Sequence, residues 1–120
     1  MTTTTIAYVL AGLIAAAIIV IGARFLVAPR VAAAGYGVPA DAGAYLGVKG
    51  VRDIASGLIV VVLLAAGATQ LLGWVLFAAT IIPLADAVIV LRNGGAKSIA
   101  WGVHGGTAAV MVVTAALLLV

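Results

Sequence analysis

A short run of the chain, Lys49-Gly50-Val51-Arg52-Asp53-Ile54-Ala55-Ser56, concentrates side chains that can do chemistry. Positions 49, 52, 53 and 56 follow helical spacing, so Lys49, Arg52, Asp53 and Ser56 fall on one face of a helix. Lys49 and Asp53 lie one turn apart and can form a local ion pair. Two further apolar stretches carry one ionisable group each, Asp86 and His104, and a third ends near Arg24. Asp86 lies about five residues from the end of its segment, or ~8 Å at the helical rise, and His104 about six residues from the start of its own, or ~9 Å. The matching depths predict one polar cluster shared by four helices, in which Arg24, Lys49 and Arg52 face Asp53, Asp86 and His104 with an anion-attracting excess of positive charge. Tyr36, held between Gly35 and Gly37, is placed at the mouth of this cluster. Such a constellation suits binding of a small or lipid-like molecule, with turnover of that molecule left open.

The same residues admit a plainer reading. A buried ion pair between Arg52, Asp53, Asp86 and His104 can serve only to fix helix register and orientation. Arg24 and Lys49 can act as anchors whose charged tips reach the membrane surface. A Ser56, His104 and Asp86 triad can be written down, but nothing in its spacing is specific. One histidine and three dispersed aspartates make no metal site. Cysteine is absent, and so is a phosphate-binding glycine loop. No cofactor is therefore expected.

The elements that must carry these residues are dictated by solvent. Of 120 residues, 67% are hydrophobic and only 8% charged, against about 25% charged in soluble domains. Nine charged side chains do not cover a water-exposed surface of this size, so the partner of most of the surface is a lipid bilayer. The net charge of +3 reports topology rather than nucleic-acid binding, because the basic residues flank apolar segments. Four segments approach the ~20 apolar residues that a spanning helix needs: about 6–28, 44–67, 71–91 and 98–120. The expected fold is all-α, a single-domain four-helix transmembrane bundle. Asp41 and Ser98 are candidate N-caps. Pro83 removes the donor for the Ala79 carbonyl and is expected to kink the third span. Arg92-Asn93-Gly94-Gly95 terminates that span. Gly35-Tyr36-Gly37-Val38-Pro39 is expected to prevent a continuous helix through the stretch from Arg30 to Tyr45, which packs on the mouth of the bundle.

All six basic residues flank the first and third connections. The positive-inside rule therefore predicts a multi-pass protein of the cell membrane with both termini on the non-cytoplasmic side. Gly12 with Ala16, and Gly102 with Gly106, have small-xxx-small spacing. That pattern suits close helix packing inside the bundle, with a homodimer as the sharper alternative. His104, Thr107, Met111 and Thr114 trace a weakly polar stripe, and Trp74, Trp101 and Tyr45 are expected in the interfacial belt.

The combination of Tyr36-Gly37-Val38-Pro39, Tyr45-Leu46, Lys49-Gly50, Arg52-Asp53-Ile54, Gly57, Pro83 with Asp86, Asn93-Gly94-Gly95 and His104-Gly105 resembles a small membrane family catalogued as domain of unknown function 4267. The resemblance covers nearly the whole chain after the first span. It implies a four-span membrane protein and carries no activity with it. Besides ligand binding at the cluster, two other roles fit the sequence: a small dimeric multidrug-type transporter, with Asp86 as its proton-coupling acid, and an accessory subunit of a larger membrane complex.

Overall fold

A computed structural model describes residues 2–40 and 44–120, and the described residues form helices without strands. Helix α1 spans Thr3–Val27, α2 Pro29–Tyr36, α3 Ala44–Ala65, α4 Thr69–Ala79 and α5 Ile81–Arg92; a π-helical segment, Ser98–Gly105, runs directly into α6, Gly106–Leu119. The molecule measures 44 × 26 × 21 Å, and its length matches a bilayer with its interfaces, about 40–45 Å.

Three helices are long and apolar enough to cross a membrane: Thr3–Val27, the α4–α5 unit Thr69–Arg92, and Ser98–Leu119. The fourth expected span, α3, does not reach that standard. Its C-terminal half is apolar, but Lys49, Arg52 and Asp53 occupy its N-terminal half.

Helix α1 is central. It packs along α3 on one side and on α6 on the other, while α4 packs against α6 and α5 against the π-helical segment. The α1–α3 contact is the tightest. A Cβ on Gly22 would lie 2.5 Å from the Gly50 carbonyl oxygen, and one on Gly50 would lie 2.7 Å from that of Gly22. Gly57 meets the Ala15 backbone in the same way. Without a side chain at these points the backbones approach closely, which is how helices gain van der Waals contact in lipid. The pairs expected to do this work do not: added Cβ atoms on Gly12, Gly102 and Gly106 would meet nothing within 4 Å.

Two interruptions depart from the expected spans. After α1 the chain turns at Ala28, and Pro29 starts α2 from its first position, where its missing N–H costs nothing. The stretch after Arg30 is therefore helical as far as Tyr36, and Gly37, at φ 88°, ends it. Gly35 alone does not stop a helix; the left-handed Gly37 does. The α4–α5 unit breaks at Thr80, whose hydroxyl donates to the Leu76 carbonyl at 2.9 Å. This is one turn before Pro83, where the proline's missing N–H and ring disturb the ladder. The last span begins at Lys97 with no side-chain cap, so Ser98 is not its N-cap. Asp41, the other expected cap, lies outside the described residues.

The termini and the second connection lie at one end of the molecule. Tyr8 and Thr69 share a hydrogen bond of 2.6 Å between their hydroxyls, and Gly73 packs on Leu118 and Leu119. The core at this end is aliphatic, built from Ala7, Ala11, Ala15, Val60, Leu72, Leu76, Met111, Ala115 and Leu118. The basic residues lie toward the opposite end.

Candidate functional site

At the basic end the space among the helices is filled differently. The seam of α3 follows Leu46, Gly50, Asp53, Gly57 and Val60, spaced four, three, four and three, and these are its buried positions. That spacing, set by where small residues allow contact with α1, fixes the rotation of the helix. Asp53 is turned inward and 9% exposed, with Lys49 beside it. Arg52, 100° round the helix from Asp53, is exposed. The four polar residues of this segment therefore do not share one buried face. Ser56 turns its hydroxyl back to the Arg52 carbonyl at 2.9 Å.

The Lys49 ammonium donates to Asp53 Oδ2 at 2.6 Å. It also lies 4.2 Å from the Tyr36 ring centroid and 4.7 Å from that of Phe25. A cation between two aromatic faces and a carboxylate retains favourable contacts when water is removed. Phe25 and Tyr36 meet edge to face at 5.7 Å. Phe25 was not foreseen as a member of this group. Its sequence neighbours are apolar apart from the exposed Arg24, so no local pattern marks it.

His104 joins from the π-helical segment. It is 4% exposed. Its ring is 4.4 Å from that of Tyr36, and its Nε2 is 3.1 Å from the Tyr36 carbonyl. A carbonyl accepts only, so Nε2 carries the proton and donates. This bond ties the C-terminal end of α2 to the last span. Val38 and Gly37 complete the attachment by packing on Val90 and Ile99. The wide turn of a π-helix sits where His104 must reach inward, in keeping with the frequency of such turns at functional sites. It also shifts the stripe expected on this span: His104, Met111 and Thr114 are buried, whereas Thr107 is exposed and bonds back to Val103.

Asp86 is half-buried on α5. Its carboxylate lies within electrostatic reach of Tyr36 and Asp53. It makes no ion pair among the described residues, with neither Arg52 nor His104. Burial first, and then the neighbouring Asp86, push the Tyr36 phenol above its ordinary range, so Tyr36 is a neutral hydroxyl. Arg24 is exposed, as Arg52 is.

The structure therefore brings Lys49, Asp53, Tyr36 and His104 together with Phe25, sets Asp86 at the side of the group, and leaves Arg24, Arg52 and Ser56 outside it. This reverses the expected charge balance. One lysine faces two carboxylates, in place of three cations. No group of three or more metal-ligating side chains gathers among the described residues.

Residues 15–118 match the model of the domain of unknown function DUF4267. The chain belongs to this family. The match starts inside α1, so the second half of the first span is part of the family pattern along with nearly all of the chain that follows. No curated protein and no solved structure matches the chain. For this DUF4267 chain, the arrangement around Tyr36 must carry the functional reading.

Proposed function

We propose that this DUF4267 protein is a four-span membrane protein that binds a small or lipid-like molecule at the cluster of Tyr36, Lys49, Asp53, Asp86 and His104. In this reading α3 crosses the bilayer as well, with its charged half in the leaflet at the basic end. Its close, glycine-lined contact with α1 supports that, since α3 stays beside a spanning helix over most of its length. The positive-inside rule then makes the basic end cytoplasmic and puts both termini outside.

The observation that carries the proposal is the state of Asp86. Ionisable groups inside spanning helices are expensive and usually functional. Lys49, Asp53 and His104 have their partners within the chain. Asp86 lacks an ion-pair partner among the described residues, yet it sits beside the phenol of Tyr36 in an apolar helix. The completed Lys49–Asp53 pair and the His104 bond serve as scaffold, and the side of the cluster carrying Asp86 is the part open to a ligand.

The test is retention of a molecule on purification. The protein is extracted with its surrounding lipid and compared with Tyr36→Ala by native mass spectrometry. A bound species in the wild type that Tyr36→Ala loses, at similar thermal stability, supports the site. A wild type that carries nothing beyond bulk lipid, under conditions that keep it folded, removes it.

A further inference from the structure

Charge and geometry at the cluster also bear on the class of molecule it would accept. This step rests on the reading of the cluster as a ligand site. Two groups on neighbouring elements lie within electrostatic reach of Asp86, Tyr36 from α2 and Asp53 from α3. Lys49 and His104 join the cluster through Asp53 and Tyr36. Tyr36 is neutral. Lys49 is engaged by Asp53 at 2.6 Å and by two aromatic rings. An anionic ligand would have to displace Asp53 from Lys49, and would then meet Asp86. His104 commits a ring nitrogen to the Tyr36 carbonyl. The nearest arginine on α5 itself is Arg92, six residues on, or ~9 Å along the helix. Within the cluster, the charged group that lacks an ion-pair partner among the described residues is therefore the Asp86 carboxylate.

We infer that the cluster accepts a cationic amphiphile, an amine or quaternary ammonium on an apolar tail, whose positive head pairs with Asp86 beside the Tyr36 ring. A carboxylate in an apolar wall, with an aromatic ring next to it, offers a cation both charge and a π-face. The tail lies along exposed apolar side chains on the same face of the helix, Ile82 and Ile89, four residues before and three after Asp86. The exposed cations at the basic end, Arg24, Arg30, Arg52, Arg92 and Lys97, repel such a head approaching through water. Entry is therefore lateral, from the bilayer.

Three probes with one tail separate the possibilities: dodecyltrimethylammonium, dodecanol and dodecyl sulfate. Each is titrated, below its micelle concentration, into the protein in nanodiscs of zwitterionic lipid. Binding is read as a thermal shift and as a change in Trp fluorescence, with empty nanodiscs correcting for partition. The wild type is expected to rank them cation over alcohol over sulfate. Asp86→Asn is expected to weaken the cation at least tenfold, and Asp86→Glu to keep the ranking. Equal cation binding by wild type and Asp86→Asn overturns the inference. Tighter binding of the sulfate or the alcohol, lost in Tyr36→Ala, overturns the cation class while leaving the site in place. Absence of binding by all three probes overturns both. The wild-type ranking needs no variant, so a misfolded Asp86→Asn does not protect the idea.

Discussion

Helices α3 and α5 each carry one aspartate to the cluster around Tyr36, and the two are treated in opposite ways. Asp53 lies in the seam that α3 makes with α1. It is 9% exposed and holds Lys49 at 2.6 Å. Asp86 is half-buried on a helix whose neighbours offer it a phenol and a second carboxylate, and it forms no ion pair among the described residues. The difference follows from packing. Glycines at 22, 50 and 57 let α1 and α3 close on each other, which buries Asp53 and forces its charge to be met locally. No such seam encloses Asp86. Burial thus separates an acid that is paired from one that has no ion-pair partner among the described residues.

The largest effect is expected where the seam itself is opened. Gly50→Leu would drive a side chain into the Gly22 backbone, and no rotamer change relieves a clash with backbone. The expected result is loss of folded protein in detergent, or a melting temperature lowered by more than ten degrees. Gly12→Leu, at a glycine with open space above it, is the matched control and should melt near the wild type. A Gly12→Leu variant as damaged as Gly50→Leu would mean that the seam does not set the architecture.

The next effect is at the paired acid. Asp53→Asn leaves the Lys49 ammonium between two rings without its counter-charge. Removing one partner of a buried pair costs about 3–5 kcal/mol. Lys49 is 26% exposed along its side chain, so the loss should fall at or below the bottom of that range. Asp53→Asn combined with Lys49→Met should recover much of it, as a double-mutant cycle reads directly. Asp86→Asn should change stability less, by about 1 kcal/mol, the centre of the range for single substitutions, because it breaks no ion pair among the described residues. Equal losses at the two aspartates in chemical or thermal unfolding would erase the contrast between them.

Much of this architecture was legible in the chain, for identifiable reasons. Composition and run length point to helices in lipid, because a helix pairs its own backbone polar groups where water does not reach. The break before Pro83 and the turn at Gly94 were readable because proline and left-handed glycine act locally. The break at Gly37 was readable too, but the short helix before it was not, because its start is set by Pro29 at the first helical position. The site was legible by depth but not by direction. Residue counts placed Arg24, Arg52, Asp53, Asp86 and His104 at one level, and only the rotation of each helix decides which of them face inward. The four-three spacing from Leu46 to Val60 holds that rotation for α3, and it points Arg52 outward. For the last span the π-helical turns alter the phase before His104, and no straight-helix periodicity anticipates them.

The smallest expected effect concerns Tyr36, which borders both aspartates. Burial raises its phenol, and the nearby Asp86 carboxylate raises it further. An acid raised in the folded state holds its proton there after the unfolded chain has lost its own. Its stabilising contribution is therefore complete below pH ~10, the ordinary phenol value, and declines as pH climbs above it. Two measurements isolate this from Tyr8 and Tyr45. Phenolate absorbance near 295 nm should rise equally in wild type and Tyr36→Phe up to pH ~11, because Tyr36 stays silent in the fold. Over the same interval the melting temperature of the wild type should fall more steeply than that of Tyr36→Phe, which retains the ring over Lys49 but has no proton to lose. An additional phenolate titrating in the folded wild type near pH 10 would show that water reaches Tyr36 freely. The contact between Tyr36 and Asp86 would then not be the dry, cation-selecting corner that separates Asp86 from Asp53.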